Sequence, residues 1–204
     1  IEALRDEFRI DTAPEADGYA LDYAYYSPVG ENDGTKYPLV IFLHGIGHAD
    51  YVGAQLDDSD FPYWASAELQ SRFSEGGAFV LLPRAPEHKL VYWSKTLIPA
   101  LRSVIDDMIK KHGDNIDTSK IFIGGSSAGG YLSMMLCFDK RYLEKHGIHP
   151  MDISGFVHDS GQPTSHFNVL KEKGLDFRRL IVDETAPLYF VGMDKEYPPM
   201  LFIV

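Results

Sequence analysis

The stretch that decides the fold is Ile121-Phe122-Ile123-Gly124-Gly125-Ser126-Ser127-Ala128-Gly129-Gly130-Tyr131. It carries the pattern G-x-S-x-G between an apolar run typical of a buried strand and a helical pattern, with Ser127 at its centre. Gly125 and Gly129 are small enough for the strand and helix backbones to pass closely through a sharp turn. The pattern therefore predicts a strained turn that lifts Ser127 above a sheet as a nucleophile, whereas Ser126 has the wrong register.

Backbone amide groups near this turn are candidates for binding an oxyanion. A helix that begins near Ala128 directs its free N–H groups at the charge that develops during acyl attack, so the Ala128 amide is the first predicted donor. A second apolar run, residues 39–43, ends in His44-Gly45-Ile46. The glycine allows the backbone to turn its amides toward the serine, which predicts Ile46, or its neighbour Gly45, as the second donor. His44 is then structural.

A metal site is the competing interpretation of the same loop. His44, His48 and Asp50 offer two imidazoles and a carboxylate within a short stretch, and such side chains could meet one ion. The oxyanion interpretation is favoured because it explains the position after a strand and needs no further ligand cluster. The acidic stretch 57–60 is only a weak indication of a cation site, and residues 114–120 do not fit the calcium-loop pattern, so both are interpreted as solvated turns. The sequence predicts neither a metal nor a cofactor.

Apolar runs of strand length alternate with helical patterns along the chain. Continuous apolar runs are typical of strands covered on both faces in a parallel sheet. Their alternation with amphipathic helices requires right-handed crossovers, which predicts an α/β fold with a mostly parallel, doubly wound sheet and helices on both faces. A tyrosine-rich stretch at 19–26 and a turn at 27–36 predict that a hairpin opens the domain. The other predicted strands are residues 39–43, 78–82, 121–123, 153–157 and 200–204.

The clearest helical pattern covers residues 96–111. Its apolar face is predicted from the helical spacing of Ile98, Leu101, Ile105 and Met108. The opposite face is charged, with Asp106–Lys110 and Asp107–Lys111 as i,i+4 pairs. We interpret this segment as a structural helix that flanks the sheet.

Composition limits the kinds of partner. The chain has 204 residues and a formal net charge of -11, which disfavours nucleic acid and anionic lipid surfaces as partners. No apolar run approaches the length of a membrane-spanning helix, so the sequence predicts no membrane partner. The single cysteine, Cys137, lies in an apolar stretch and is predicted to be a buried structural thiol. The chain begins with Ile1, so both a cytoplasmic and a secreted location stay open.

These motifs resemble those of an α/β-hydrolase, in the esterase and predicted-peptidase group related to polyhydroxybutyrate depolymerases and feruloyl or acetylxylan esterases. The resemblance covers most of the chain, and its motifs are specific to the superfamily rather than to a substrate. The segments that carry it are residues 38–47 with Gln55-Leu56, residues 79–83 with Tyr92-Trp93-Ser94, residues 116–131, residues 155–161 and residues 197–204.

The resemblance also implies residues that the chain does not contain. In this superfamily the catalytic serine is followed along the chain by an acid and then a histidine, with the acid usually after the strand that residues 200–204 resemble. The sequence therefore predicts a single domain, residues 1–204, that is truncated after this strand, with the acid and the histidine beyond Val204. Asp159 is a weaker in-chain candidate for the acid. His158 and His166 are the in-chain candidates for the base, although each is better explained as a structural histidine.

The implied chemistry is two-step acyl transfer without a cofactor. A small-molecule ester is the expected substrate, with carbohydrate-linked esters among the candidates. The alternatives are a catalytically silent domain that binds a ligand or partner, and a peptidase or acyltransferase that uses the same serine. The sequence leaves the oligomeric state open. Aromatic residues that could line a substrate pocket, if they are not part of the core, are Tyr63, Trp64, Tyr92, Trp93, Tyr131 and Phe167.

Overall fold

The computed structural model describes residues 2–28, 34–45, 50–57, 60–86, 93, 95–192 and 196–204. The chain divides into two compact units, residues 1–121 and residues 122–204. Among the described residues, no helix combines the length and the apolar character that crossing a bilayer requires.

Strands and helices alternate along most of the described chain. The strands are β1 (Arg9–Thr12), β2 (Asp22–Tyr26), β3 (Tyr37–Leu43), β4 (Phe79–Pro83), β5 (Ile116–Ser126), β6 (Gly155–Asp159) and β7 (Met200–Ile203). The α-helices are α1 (Glu2–Arg5), α2 (Asp60–Tyr63), α3 (Ala67–Gln70), α4 (Ile98–His112), α5 (Ala128–Phe138), α6 (Arg141–Glu144) and α7 (Phe167–Glu172). Short 3-10 helices cover Ala54–Asp57, Lys95–Leu97, Pro150–Asp152 and Pro187–Phe190.

The first unit is built on a mixed sheet. Strand β2 lies between β1 and β4 and is antiparallel to both, whereas β3 pairs with β4 in parallel. The predicted opening hairpin is wrong, because β4 lies between β2 and β3 and the partner of β2 along the chain is β1. Residues 29–33 of the predicted turn lie outside the described residues.

The apolar runs predicted as buried strands form the core of this unit. Every residue of β3 and of β4 is buried, as expected for strands with neighbours on both faces. Leu39, Val80 and Leu81 are among the least exposed side chains, with at most 1% of their surface exposed. Both predictions are confirmed, with β3 beginning two residues before the apolar run, at Tyr37, and β4 lying one residue later than predicted. Residues 121–123, also predicted as a buried strand, belong to β5 but are only half-buried.

Helix α4 confirms the predicted helix but not its predicted buried face. The buried positions are Ala100, Val104, Asp107 and Met108, whereas Ile98 is 61% exposed. The stripe that faces the core is therefore rotated toward the charged side of the helix. Asp107 is buried together with the apolar positions of this stripe because its carboxylate has a hydrogen-bond partner in the core.

That partner is the hydroxyl of Tyr23 in β2. The fully buried Tyr23 donates a hydrogen bond to Asp107 Oδ2 at 2.7 Å, and Lys111 Nζ donates to the same oxygen at 2.7 Å. The predicted Asp107–Lys111 pair is thus present. Asp106 is paired with Arg102 at 2.9 Å. A buried tyrosine hydroxyl without an acceptor would be costly, so Asp107 satisfies it and ties α4 to the sheet.

The second unit contains a parallel sheet of β5, β6 and β7. Phe122 to Ser126 pair with β6, and Phe156 to Asp159 pair with β7. Helix α5 is buried on nearly all sides, and its side chains form an apolar cluster with β6 and the 3-10 helix at Pro187–Phe190. Cys137 belongs to this cluster, as predicted, and burial raises the pKa of its thiol to about 12.

The order of strands follows from these pairings. In the first unit the N–H of Tyr37 donates to the carbonyl of Asn115, immediately before β5, at 2.7 Å. Strand β5 is longer than predicted, because residues 116–120, interpreted as a turn, belong to it. The strand order is β1-β2-β4-β3-β5-β6-β7. The α/β class with a mostly parallel sheet is confirmed.

Candidate active site

Ser127 stands at the turn between β5 and α5. Strand β5 ends at Ser126 and α5 begins at Ala128, as the sequence predicts. Ser127 has φ 52° and ψ -109°, a backbone conformation that costs a residue with a side chain on the order of 1–3 kcal/mol. The serine is nevertheless exposed and makes no side-chain capping hydrogen bond to the helix. Its hydroxyl is thus presented to solvent by a strained backbone.

The backbone of Ser127 is fixed by two hydrogen bonds. Its N–H donates to the carbonyl of Asp159, the last residue of β6, at 2.9 Å. Its own carbonyl accepts from the N–H of Tyr131 at 2.9 Å, which is the first bond of the helix ladder. The neighbouring strand and the helix therefore hold the turn from both sides.

Gly130 allows the first turn of α5 to approach β5 and β6. A Cβ atom at this position would lie 2.5 Å from the carbonyl oxygen of Asp159, 2.9 Å from the Cα of Gly161 and 3.0 Å from the carbonyl oxygen of Gly125. All three atoms are backbone, which cannot move aside as a flexible side chain can. The second glycine after Ser127 is thus needed for packing as well as for the turn.

The N-terminus of α5 supplies the first predicted oxyanion donor. The first four N–H groups of an α-helix have no partner within the helix, and Ala128 is the first residue of α5. The partial positive charge of these groups favours an anion at this end of the helix. The assignment of Ala128 as an oxyanion donor stays a prediction.

The second predicted donor group lies in the first unit. Gly45 is buried and follows β3, whereas Ile46 lies outside the described residues. The ring of His44 is fully buried, its Nε2 accepts from the N–H of Ala85 at 2.9 Å, and its Nδ1 lies 2.6 Å from the carbonyl oxygen of Gly45. Because Nε2 accepts, Nδ1 carries the proton and donates to that carbonyl. His44 is therefore neutral, and it fixes the loop after β3.

This arrangement disfavours the metal interpretation. Both ring nitrogens of His44 are occupied by backbone groups, and His48 lies outside the described residues. In the part of the chain that the structure describes, no group of three or more His, Cys, Asp or Glu side chains is placed to hold a metal ion.

Asp159, the in-chain candidate for the acid, lies beside the serine turn. It is 5% exposed, it pairs in register with Ser126, and its carbonyl is the acceptor for Ser127. Its Oδ1 accepts a hydrogen bond from the hydroxyl of Ser160 at 3.0 Å. Ser160 has φ 46°, so the chain turns sharply directly after the strand. The carboxylate therefore has a neutral donor as a partner, and its backbone supports the turn.

The side chain of His158 in β6 faces helix α5. Its Nδ1 lies 2.8 Å from the hydroxyl of Ser133, and its ring lies 4.8 Å from that of Phe202 and 5.9 Å from that of Phe156. Its Nε2 is buried with no hydrogen-bond partner among the described residues. Burial lowers the pKa of His158 to about 4. An imidazole that is buried, has its Nδ1 engaged by Ser133 and is less basic than usual is a poor candidate for the general base.

His166 is also structural. Its Nδ1 accepts from the N–H of Asn168 at 3.3 Å, which caps α7, and its ring lies 5.1 Å from that of Tyr131. Burial lowers the pKa of this imidazole below its usual value. The hydroxyl of Tyr131 donates to the carbonyl of Thr185 at 2.7 Å. Tyr131 and His166 thus pack the segment after β6 against the first turn of α5.

The aromatic residues proposed for a pocket have different surroundings. Trp93 Nε1 donates to the carbonyl of His44 at 2.8 Å, and Trp64 packs on Phe42 at 5.5 Å. Tyr63 is exposed, and Tyr92 lies outside the described residues. Phe167 stacks on His166 at 4.2 Å. Trp64 and Trp93 thus support neighbouring structure.

Known proteins share this architecture. A family model described as alpha/beta hydrolase fold matches residues 76–172. No curated protein matches the chain. A thermostable esterase is 24% identical with a TM-score of 0.61, over 83% of this chain and 45% of that chain. An acylaminoacyl peptidase of Pyrococcus horikoshii is 17% identical with a TM-score of 0.57, over 96% of this chain and 31% of that chain.

The match to a third structure covers a larger share of that protein. The esterase Est2 of Thermogutta terrifontis is 14% identical with a TM-score of 0.58, over 97% of this chain and 70% of that chain. The chain thus spans less than half the length of the thermostable esterase and of the peptidase. At these identities the likeness shows the fold alone. The chain has the α/β-hydrolase fold, as the sequence predicts.

Proposed function

We propose that the chain is the nucleophile-bearing part of a serine hydrolase that cleaves carboxylic esters. The single observation that carries the proposal is the backbone of Ser127, which has φ 52° at an exposed position between the end of strand β5 and the buried helix α5. Strain of this kind persists only where surrounding structure enforces it, and it is concentrated at functional sites. A catalytically silent domain would gain stability by relaxing this turn.

The reaction proceeds through an acyl-enzyme. Ser127 Oγ attacks the ester carbonyl carbon while a general base takes its proton, and the carbonyl oxygen becomes an oxyanion. The N–H of Ala128 and that of Ile46 or Gly45 are the proposed donors to this oxygen. The bond to the alcohol then breaks, the alcohol leaves with the proton, and a water molecule releases the acid by the reverse sequence. No step needs a cofactor.

The partners of Ser127 in this scheme are proposed to follow Val204 in the sequence. The rings of His158 and His166 are both engaged in structural contacts, which favours a base elsewhere. Asp159 remains the in-chain candidate for the acid, because its carboxylate lies at the carboxyl end of β6, where ligands of parallel sheets bind. A small-molecule ester is the proposed substrate, and carbohydrate-linked esters are part of that proposal.

Amide cleavage by the same serine is the second candidate. The similar structures include acylaminoacyl peptidases as well as esterases, and both kinds of bond are cleaved through an acyl-enzyme. An aryl ester and the matching anilide, offered to the full-length protein, separate the two. Because an aryl ester is intrinsically more reactive than an anilide, the comparison is made between the accelerations over the uncatalysed hydrolysis of each substrate. The proposal predicts turnover of the ester with no measurable turnover of the anilide, whereas a comparable acceleration of both would favour the peptidase.

The test of the serine itself is covalent labelling. A fluorophosphonate should add to Ser127 Oγ with loss of fluoride, and intact mass followed by peptide mapping would locate the adduct. Ser127→Ala should abolish the adduct and lower ester turnover by at least ~10³-fold while leaving the fold intact. Ser126→Ala is the matched control and should label normally. An adduct elsewhere, or turnover that survives Ser127→Ala, would contradict the proposal.

A further inference from the structure

We propose that Ser133 and His158 are positioning residues for Ser127. The imidazole of His158 in β6 fixes the hydroxyl of Ser133 in α5, and this hydroxyl anchors the first turn of the helix, whose amides are the proposed oxyanion donors. The inference rests on the proposed hydrolase function. Neither residue touches the reacting atoms, so both act through the backbone of α5.

Ser133 has three possible hydrogen-bond partners, which together decide the direction of each bond. Its hydroxyl donates to the carbonyl of Gly130 at 2.9 Å, and a second carbonyl, that of Val157, is farther away at 3.5 Å. Ser133 Oγ also lies 2.8 Å from His158 Nδ1, so its single proton points either to that nitrogen or to the carbonyl of Gly130. If it pointed to Nδ1, the ring proton would lie on Nε2, which would be a buried N–H with no acceptor among the described residues. An orphaned buried N–H is rarer than an acceptor without a donor, so we assign the ring proton to Nδ1, which donates to Ser133 Oγ. The chain of donors therefore runs from His158 through Ser133 to Gly130.

The hydrogen bonds from His158 to Ser133 and from Ser133 to Gly130 restrain helix α5. A serine side chain has three staggered rotamers, and the bond from His158 selects the one that reaches Gly130. Ser133 is fully buried, so water does not replace the imidazole as its donor. The carbonyl of Gly130 is thereby held at a residue where a Cβ atom would collide with the backbone of β5 and β6.

Strand β6 holds the turn at two successive residues. The carbonyl of Asp159 accepts the N–H of Ser127, and the side chain of His158 acts one residue earlier through Ser133. One anchor fixes the start of the serine turn and the other fixes the first turn of the helix. The amides of Ala128 and Gly129 lie between the two anchors.

Residue 158 is a histidine in apolar surroundings. The ring of His158 is 1% exposed and is surrounded by Phe138, Phe156 and Phe202. Leu or Phe would suit such an apolar site and would leave no buried nitrogen without a partner. The imidazole is explained by the donor that Nδ1 provides. Packing alone gives no reason for a polar ring.

The test compares four variants of the full-length protein with wild type. Ser133→Ala and His158→Leu remove the two ends of the bond, whereas His158→Asn keeps an N–H donor near the position of Nδ1. Ser165→Ala is the matched control, because Ser165 is also fully buried in the same unit and donates to Asp183 at 2.9 Å. For each variant we would measure melting temperature, kcat and KM for an aryl ester, and the rate of fluorophosphonate labelling at Ser127.

The expected result is a separation of rate from stability. Ser133→Ala and His158→Leu should lower kcat and the labelling rate by about tenfold with KM unchanged, since a small displacement of reacting groups weakens transition-state contacts. His158→Asn should keep kcat and the labelling rate within about threefold of wild type. Ser165→Ala should lower the melting temperature without changing kcat. The proposal is overturned if Ser133→Ala loses stability but keeps its kcat, or if His158→Asn is as slow as His158→Leu.

A second readout separates this inference from the proposed function. Hydrogen exchange of the Ser127 and Tyr131 amides reports directly on the two bonds that fix the turn. Both amides should exchange faster in Ser133→Ala and His158→Leu than in Ser165→Ala, whether or not the protein hydrolyses esters. If the wild-type protein is not labelled but the variants show this exchange pattern, the hydrolase function is refuted and the positioning role is not. Unchanged exchange would refute the positioning role.

Discussion

Helix α4 carries a proline in its first turn and ends in Lys110, Lys111 and His112, whereas α5 begins at the strained Ser127 with glycines at its second and third positions. The features of α4 favour a helix locally, because proline suits the first turn and basic side chains suit the negative C-terminus. Each glycine in α5 costs about 1 kcal/mol relative to alanine. The start of α5 is therefore held by tertiary contacts rather than by its own sequence.

The difference shows where each helix can tolerate change. Helix α4 depends on one buried polar tie, Tyr23–Asp107, and on a stripe that packs on the sheet. The start of α5 depends on close backbone contacts at Gly130 and on the anchors from β6. Substitutions in α4 should change stability alone, whereas those at the start of α5 should change stability and the reactivity of Ser127 together.

The largest effect is expected from Gly130→Ala. At an open helix position this change would stabilise the helix, but here the new methyl group would lie 2.5 Å from the carbonyl oxygen of Asp159. We expect a loss of about 3 kcal/mol in the free energy of unfolding and a fall of about 100-fold in labelling at Ser127. Denaturant titration and mass spectrometry with a fluorophosphonate measure the two effects.

Gly155→Ala is the control for this prediction. Its Cβ would approach the ring of Phe122 at 3.0 Å, and a side chain can shift where a backbone carbonyl cannot. The labelling rate should stay within about threefold of wild type. If Gly130→Ala labels as fast as Gly155→Ala, the close approach at Gly130 has no part in placing Ser127.

The next effect is expected in α4. Asp107→Ala leaves the buried hydroxyl of Tyr23 without its acceptor, and we expect a loss of about 2–3 kcal/mol in the free energy of unfolding. The labelling rate of the folded protein at Ser127 should not change. The double variant with Tyr23→Phe removes the unpaired hydroxyl and should recover part of the loss. A double-mutant cycle without coupling would show that the tie does not stabilise α4.

A somewhat smaller effect should come from the titration of His158. Burial lowers the pKa of this imidazole from 6.5 to about 4, so between these values the unfolded chain binds the extra proton and the folded chain does not. Stability is therefore lost as the pH falls from about 6.5 toward 4, and between pH 7 and pH 5 the loss is about 2 kcal/mol.

His158→Asn isolates this contribution. The asparagine does not titrate, so the difference in unfolding free energy between wild type and His158→Asn should shrink or change sign as the pH falls. His166 has a lowered pKa as well, but its contribution is common to both proteins and cancels. Parallel pH curves for the two proteins would mean that the His158 imidazole is not held in its neutral form.

The smallest effect is expected on the exposed face of α4. Arg102 and Asp106 form an i,i+4 pair whose side chains are 73% and 56% exposed. Arg102→Ala should change the free energy of unfolding by less than about 0.5 kcal/mol, because solvent screens such pairs. Thermal melts of wild type and Arg102→Ala at low and at high salt measure this difference. A larger loss of stability at low salt than at high salt would show that the pair belongs to a network of charges.

Features that local sequence patterns determine could be predicted from the sequence. The apolar runs predicted β3 and β4, and G-x-S-x-G predicted the strand, turn and helix around Ser127. Strand β1 was missed, since Arg9–Thr12 is mostly exposed and has no apolar run. The hairpin prediction failed because the sequence of β2 does not reveal that β4 takes the place beside it.

The contacts that fix the serine turn were beyond the reach of sequence patterns. The carbonyl of Asp159 lies far along the chain from Ser127, and a backbone acceptor has no residue type that would reveal it. The pairing of Ser133 with His158 depends on how α5 lies on β6. Successive side chains of a strand point to opposite faces, and the separate contacts of His158 and Asp159 agree with this alternation. The predicted face of α4 failed because Asp107 is buried by its bond to Tyr23.

The strand order also has a consequence for synthesis on the ribosome. Strand β3 is made before β4, yet β4 lies between β2 and β3, so the first sheet stays open until Pro83 has been added. At about 5–20 residues per second, the stretch between β3 and β4 takes roughly 2–7 s to translate. Throughout that interval the wholly apolar stretch Leu39-Val40-Ile41-Phe42-Leu43 has no β4 edge to pair with. An apolar strand without its neighbour favours aggregation, so the nascent chain meets this hazard before its nucleophile has been made.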